Sequence, residues 1–374
     1  MKLHSKQSIN NNFKHSRSTF TLSVVTVALL SIALSGCGST KSTSTDTPSP
    51  AGKVEAGASA GTKVVFIPKS AGNPYFAQLE VGFSRSAKGF GLDFSSQAPQ
   101  SADATSQISV IKSQVQRGQE VIVISPNSPD ALNEAIDQAT AKGVTVITAD
   151  ADLAGHEDHR ALGILPVDFA TIGPAQIELL GLMINYEGEI AILSATTDAP
   201  NQNAWIETMK TALKEAKYSK MKLVEIAYGD DEPQKSATET EALFSKHPQL
   251  KGIIAPTTVG LASAAQVVTQ KEVFPGGKNA KNGGVVLTGL GTPNEMRKAV
   301  KSGVVAKFQL WDPADIGDVA AFVSSQIKAG KLKPAVGTKF SIPGKGEFTI
   351  AEKNIVIAGK LVTFDKANID QYKY

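Results

Sequence analysis

The chain has 374 residues, 41% of them hydrophobic and 20% charged, which excludes a disordered polypeptide and leaves material for two domain-sized cores. Its formal charge of +3 is small, and the lysines and arginines are scattered, so neither nucleic acid nor a membrane surface has a basic face to bind.

The first segment differs from the rest. Lys2, Lys6, Lys14 and Arg17 precede the apolar run FTLSVVTVALLSIAL (20–34), and Leu34-Ser35-Gly36-Cys37 follows at once. Small residues before a cysteine resemble the bacterial lipoprotein signal. That resemblance implies a signal peptide over 1–36, removed on export, and a diacylated Cys37 at the mature N-terminus. Cys37 is the only cysteine, so no intrachain disulfide is possible. Residues 37–62, mostly small, polar or proline, cannot bury a core and are expected to form a flexible tether. The folded part is therefore expected outside the cytoplasm, on the outer face of the cell membrane or in a periplasm, held by lipid alone.

From residue 63 onward, short β-branched runs alternate with amphipathic stretches. Strands are expected at 64–67, 121–125, 144–148, 162–165, 190–194, 223–227, 252–255, 285–289 and 306–311. Between them, Phe76, Leu79, Phe83, Ala87 and Phe90 recur at helical spacing, as do Leu132, Ala135, Ile136 and Ala139. Continuous apolar strands alternating with helices predict an α/β fold of parallel sheets covered on both faces. About nine strands suit two lobes better than one sheet. Ligands of such sheets bind at the carboxyl ends of the strands, so the informative residues should follow the strands directly.

In KVVFIPKSAGNPYFAQLEVG (63–82), Lys69 and Asn73 follow the first strand, and Tyr75 and Phe76 open the helix. Phe76 shares a face with Leu79 and Phe83 and belongs to the core, whereas Tyr75 falls off that stripe and is expected to face a cleft. The plain alternatives are a surface lysine and an Asx turn. VITADAD ends a strand in two carboxylates. Asp150 stands at the strand end, where it can accept two hydroxyl hydrogen bonds, and Asp152 reads better as a cap or a solvated loop residue. HEDH (156–159) lacks the i, i+4 histidine pair of a zinc helix and is read as a polar loop. Asn201, Gln202 and Asn203 present amide donors and acceptors suited to neutral polyols, with helix capping by Asn201 as the competing role. Trp311 ends an apolar run beside Asp312, a position for a ring that stacks on a sugar face. GLGTPN (289–294) lacks the third glycine of a dinucleotide fingerprint, and no phosphate-binding loop, nucleophile elbow or nucleophile–base pair is visible. An enzyme is therefore not expected, nor a cofactor or metal.

The NPYF turn, VISPNSPDAL and LTGLGTPNEM resemble the type I periplasmic sugar-binding proteins of bacterial ABC importers, from residue 63 to the end. ILSATTDAPNQNAWIETMK, YGDDEPQKS, IIAPTTVGLASAAQVV, TGLGTPNEMRKAVKSG and FQLWDPADIG are similar to the rhamnose-binding branch, and FIPK and IIAP to the neighbouring autoinducer-2-binding protein. The resemblance implies a two-lobed fold with three hinge crossovers, a first lobe of 63–166 and 313–330, a second of 167–312 and 331–374, and closure on a ligand between them. It implies ligand contacts from Lys69, Asp150, Asn201, Gln202, Pro256, Thr258 and Trp311, to which Asn73, Tyr75 and Asn203 are added from the residue patterns. In the autoinducer-2 branch Asn201 is usually Asp and Thr258 usually Ala, which points towards rhamnose. Ala149 stands where both branches often have Trp, and Asp152 is similar to the autoinducer branch. Gly291 and Ala151 stand where ribose and galactose binders often have Asp and Arg, which points away from those sugars. The expected partners are a sugar and an ABC permease with its ATPase, served by a monomer. Autoinducer-2 uptake and a sugar chemosensory receptor are the alternative functions.

Overall fold

The computed structural model describes residues 61–374; the expected signal peptide, Cys37 and nearly all of the tether lie outside them. The chain runs β1 (Thr62–Ile67), α1 (Pro74–Ala87), β2 (Leu92–Ser96), α2 (Ala104–Gln116), β3 (Val121–Ile124), α3 (Asn133–Ala141), β4 (Thr145–Ala149) and β5 (Leu162–Leu165). It continues through α4 (Phe169–Ile184), β6 (Glu187–Ser194), α5 (Pro200–Ala212), β7 (Lys220–Tyr228), α6 (Pro233–Lys246), β8 (Leu250–Ala255), α7 (Thr258–Lys271), β9 (Val286–Gly289), α8 (Pro293–Ser302) and β10 (Phe308–Leu310). Then follow α9 (Pro313–Lys328), β11 (Lys339–Ile342), β12 (Gly346–Thr349), β13 (Ile355–Ile357) and β14 (Val362–Phe364).

Two parallel sheets result, one per lobe. The first has the order β13-β5-β4-β3-β1-β2 and the second β7-β6-β8-β9. Their central strands VIVI and the end of β6 are fully buried, as strands covered by helices on both faces must be. β10 joins the second lobe through a bridge between Leu290 and Gln309 and pairs antiparallel with β14.

The chain crosses between the lobes after β5, after β10 and after β13. The last crossing corrects the expected division. Residues 331–374 do not all belong to the second lobe: β13 pairs with β5 in the first sheet, and Phe340 of β11 stacks on Phe322 of α9 at 5.6 Å. The return to the second lobe comes only at β14. Short strands interleaved with glycine, lysine and turns give no periodicity from which that path could be read.

Helix α9 packs face to face on α1, and glycines allow the approach. A Cβ on Gly82 would lie 2.0 Å from the Ala314 carbonyl oxygen, and one on Gly317 2.1 Å from that of Leu79. The same contact holds a charged cluster in which Asp318, 3% exposed, accepts from Arg85 Nε at 2.9 Å and Ser86 Oγ at 2.6 Å, with Lys345 Nζ at 2.5 Å. Burial opposes ionisation of Asp318, but the hydrogen bonds from Arg85, Lys345 and Ser86 outweigh it and hold the carboxyl below the usual aspartate value.

Candidate functional site

The carboxyl ends of the two sheets face each other across a cavity lined from both lobes, the place where parallel sheets bind ligands. Lys69, Asn73, Tyr75, Phe76 and Asp150 line it from the first lobe, and Asn201, Gln202, Trp205, Asp231, Pro256, Thr257, Thr258 and Leu290 from the second. Leu310 and Trp311 close it at the middle crossover.

In the first lobe the loops after β1 and β3 are strapped together before they present anything to the cavity. Gln107, fully buried on α2, donates to the carbonyls of Pro68 and Ser125 at 3.1 and 2.7 Å and accepts from the Asn127 backbone at 2.8 Å. Asn127 Nδ2 in turn donates to the Lys69 carbonyl at 2.9 Å. On this frame Lys69 Nζ donates to the Pro126 carbonyl at 2.7 Å, leaving two N–H donors with no partner among the described residues. Burial pushes the Lys69 ammonium below the usual lysine value, opposed by Asp150, Asp231 and Asp198.

Asp150 leaves β4 in the left-handed region, φ 70°, a conformation that costs a non-glycine residue of order 1 kcal/mol or more. Its two oxygens accept from Tyr75 Oη at 2.6 Å and Ser125 Oγ at 2.9 Å. Tyr75 Oη accepts from Trp311 Nε1 at 2.7 Å. An indole N–H can only donate, so the direction of this chain is fixed: Trp311 to Tyr75 to Asp150. Burial, with Asp150 adding to it, raises the Tyr75 phenol well above its usual value and keeps it a donor. Burial also raises the Asp150 carboxyl, restrained by Lys69 and by the bonds from Tyr75 and Ser125. Each carboxylate oxygen keeps a lone pair for an occupant.

Asn73 caps a helix and also stands in the cavity wall. Its Oδ1 caps α1 by accepting from the Tyr75 backbone at 3.0 Å, and it also lies 3.5 Å from Thr258 Oγ1 of the other lobe. Tyr75 and Phe76 do not divide cleanly into cleft and core: both are buried and both line the cavity, with Phe76 also packing near Phe66, ring centroids 6.1 Å apart. Trp311 meets Tyr75 and Trp205 edge to face, at 6.2 and 6.0 Å, so the aromatic wall is continuous across the lobes.

In the second lobe Ala199, not Asn201, holds the capping position of α5. Gln202, which lines the cavity, has its amide fixed by Oε1 accepting from Ser194 Oγ at 2.7 Å and the Ala195 backbone at 2.8 Å. Asn203 is a correction. It does not line the cavity; its Nδ2 donates outward to the Thr197 carbonyl at 2.9 Å, because consecutive helix residues rotate by about 100° and the third amide faces away from the first. Asp152 lies outside the cavity, bound to Arg160 at 2.5 Å and to Thr148 Oγ1 at 2.6 Å, and Asp312 caps α9 through the Ala314 backbone at 2.9 Å. His159 of HEDH meets Asp137 at 2.7 Å, and no metal-ligating cluster occurs among the described residues.

Sequence reasoning passed over two of the wall residues. Trp205, 2% exposed, has an indole N–H with no hydrogen-bond partner among the described residues. Asp231 follows β7 at φ 54° and accepts from Thr257 Oγ1. Nothing in YGDDEP separates it from its neighbour Asp230, which pairs with Lys235.

Residues 64–332 match the family model described as "Periplasmic binding protein domain". The chain belongs to the periplasmic binding protein family. An ABC transporter solute-binding protein from Clostridium phytofermentas, solved with bound L-rhamnose, is 33% identical, with a TM-score of 0.78 over 84% of this chain and 98% of that one. LsrB from Clostridium saccharobutylicum in complex with AI-2 shares the fold, at 22% identity and a TM-score of 0.76 over 83% of this chain and 100% of that one. The D-ribose/D-allose-binding protein of Pseudomonas aeruginosa is 24% identical over 203 residues, 52% of this chain and 61% of that protein's length. As a sugar-binding component of an ABC transporter, this periplasmic binding protein holds its solute without transforming it. Among the described residues no helix is long and apolar enough to cross a membrane.

Proposed function

We propose that this binding protein captures a deoxyhexose, L-rhamnose, between its lobes and delivers it to an ABC permease served by an ATPase. The observation that carries the reading is the polar wall of the cavity: carboxylates with free lone pairs, Asp150 foremost, one lysine with free donors, and amides opposite, beside a continuous aromatic surface. Hydroxyls both donate and accept, and a charged acceptor and a charged donor bond them more strongly than neutral groups do. Lys69 and Asp150 take hydroxyls in the first lobe, Asn73 joins them from its turn, and Asn201 and Gln202 take hydroxyls in the second. Pro256 and Thr258 bound the second-lobe floor, and the rings of Tyr75 and Trp311 receive the apolar face of the sugar and its methyl group.

Support for rhamnose comes from the 33% identity with the rhamnose-bound protein over nearly its whole length, and from Asn201 and Thr258 at positions where the autoinducer-2 branch differs. The protein works as a lipid-anchored monomer, diacylated on Cys37 and tethered by the residues that follow. Labelled palmitate should enter the wild-type protein and not Cys37→Ala; equal labelling of both would remove the anchor from the reading.

A thermal-shift panel of L-rhamnose, autoinducer-2, D-ribose, D-galactose and D-xylose tests the ligand. A solute that binds only the native state raises the melting temperature. The largest shift is expected with L-rhamnose, and a shift with autoinducer-2 alone would transfer the protein to that signal.

A further inference from the structure

Asp231 is the wall residue with the least evident structural task. It sits on the loop between β7 and α6, half-buried, and only one of its oxygens is occupied: Oδ1 accepts from Thr257 Oγ1, while Oδ2 takes no hydrogen bond from any described residue. Asp230 beside it points away and pairs with Lys235. Lys69 lines the same cavity from the other lobe, with two unpartnered donors. Lys69 opposes the upward shift that burial imposes on Asp231, and Asp231 opposes the downward shift of Lys69, yet the two form no ion pair within 4.0 Å. The cavity therefore has in its wall a free donor on a cation and a free acceptor on an anion, on opposite lobes and not paired with each other.

We propose that Asp231 is a specificity-determining residue: one hydroxyl of the bound sugar sits between the lobes, accepting from Lys69 and donating to Oδ2 of Asp231. A hydroxyl is the neutral substituent that does both through one atom; hydrogen, methyl and methoxy groups cannot complete the bridge. A ligand lacking that hydroxyl leaves two desolvated charges unpaired, which is how a site built for a hydroxyl rejects an analogue without one. The bridge also ties ligand identity to closure, since its two ends belong to different lobes. Burial raises the Asp231 carboxyl, opposed by the bond from Thr257 and by Lys69, so the hydroxyl that Thr257 donates keeps the acceptor available.

The inference rests on a sugar occupying the cavity, and the test separates the two. Calorimetric titrations of the whole lipid-free chain with L-rhamnose compare wild type, Asp231→Asn and, as a control on the neighbouring carboxylate outside the cavity wall, Asp230→Asn. Asp231→Asn is expected to weaken binding by about 10- to 100-fold, and Asp230→Asn by less than about threefold. Single deoxy analogues of the sugar identify the partner hydroxyl: one of them should lose the same factor in wild type and lose almost nothing more in Asp231→Asn, a non-additive pair. Losses that add for every analogue, or an Asp231→Asn affinity within about threefold of wild type, overturn the bridge while leaving the ligand assignment standing. If wild type ignores L-rhamnose but binds another sugar of the panel, the assignment falls and the same comparison with that sugar still decides the role of Asp231. Silence with every sugar overturns both. Should Asp231→Asn lower the unliganded melting temperature by more than about 10 °C, Thr257→Val replaces it, with a loss of about 3- to 10-fold expected and no loss refuting the proposal.

Discussion

Replacing Asp150 by asparagine tests the first-lobe half of the site with the least disturbance. The amide is isosteric, and the surroundings can keep their pattern: its oxygen still accepts from Tyr75, and Ser125, which now donates to Oδ2 at 2.9 Å, can rotate to accept from the new NH₂ group. What disappears is the charge. Each carboxylate oxygen has one lone pair left for the sugar, so up to two charge-assisted bonds become neutral ones, each losing about half of a 1.5–3 kcal/mol bond. Lys69 also loses the nearest opposing charge that sustains its ammonium against burial. The expected loss is about 2–3 kcal/mol, or roughly 30- to 150-fold in Kd. Isothermal titration of wild type and Asp150→Asn with L-rhamnose, at matched pH and salt, measures it. A Kd within about threefold of wild type, with native circular dichroism, would refute the placement of Asp150 against the ligand.

Asn203→Ala should change sugar affinity by less than about twofold, because its amide serves the Thr197 carbonyl outside the cavity; a tenfold loss by titration would return it to the site. Gly317→Ala places a methyl group against the backbone of α1 and should destabilise by about 1–3 kcal/mol in urea unfolding, with sugar affinity retained in the folded fraction. Asp318→Asn should cost about 2–3 kcal/mol near pH 7. The Asp318 carboxyl is held below its unfolded value, so its contribution is present above about pH 4 and is lost as pH falls through the folded value. The difference between wild type and Asp318→Asn should therefore shrink on acidification in a pH series of melting curves, and a difference that grows would contradict the sign.

The parallel core was legible because burial on both faces writes a strand as an unbroken β-branched run. VIVI and the β1 run needed no neighbours to be recognised. β2 was not, since LDFSS is an edge strand whose exposed residues break the run, and the pieces from β11 to β14 are shorter than any periodicity can resolve. The site divides in the same way. Lys69, Asp150 and Trp311 stand at the ends of recognisable strands, where a parallel sheet must bind, so position alone singled them out. Asn203 was misplaced because a run of three amides on a helix cannot share one face. Asp231 and Trp205 escaped because their role depends on which loop of the second lobe comes opposite Lys69 and Trp311, a distance between segments far apart in the chain. Gln107 escaped for the opposite reason: a polar residue in an amphipathic helix reads as solvent-facing, and only the packed structure shows its amide buried against two loops.

On the proposed function, the bonding across the cavity gives the solute the task of holding the lobes together. Direct hydrogen bonding between the lobes at its wall is limited to the Trp311 Nε1 bond to Tyr75 at the crossover, 2.7 Å, and to Asn73 and Thr258, which meet at 3.5 Å, the outer limit of such a bond. The remaining polar groups are satisfied within their own lobe or by nothing. Lys69 donates to Pro126, Gln202 accepts from Ser194, and the Trp205 indole and the outer oxygen of Asp231 wait unpaired. An empty closed cavity thus desolvates these groups without compensation, at about 1–3 kcal/mol for each neutral group and more for the charges, and the open state relieves that cost by hydrating them. A sugar that meets both walls reverses the balance, because its hydroxyls pay the same debt in the closed form alone. On the same reading, the relay from Trp311 through Tyr75 fixes the Asp150 acceptor before a ligand arrives, so that little of the binding free energy is spent on ordering the site.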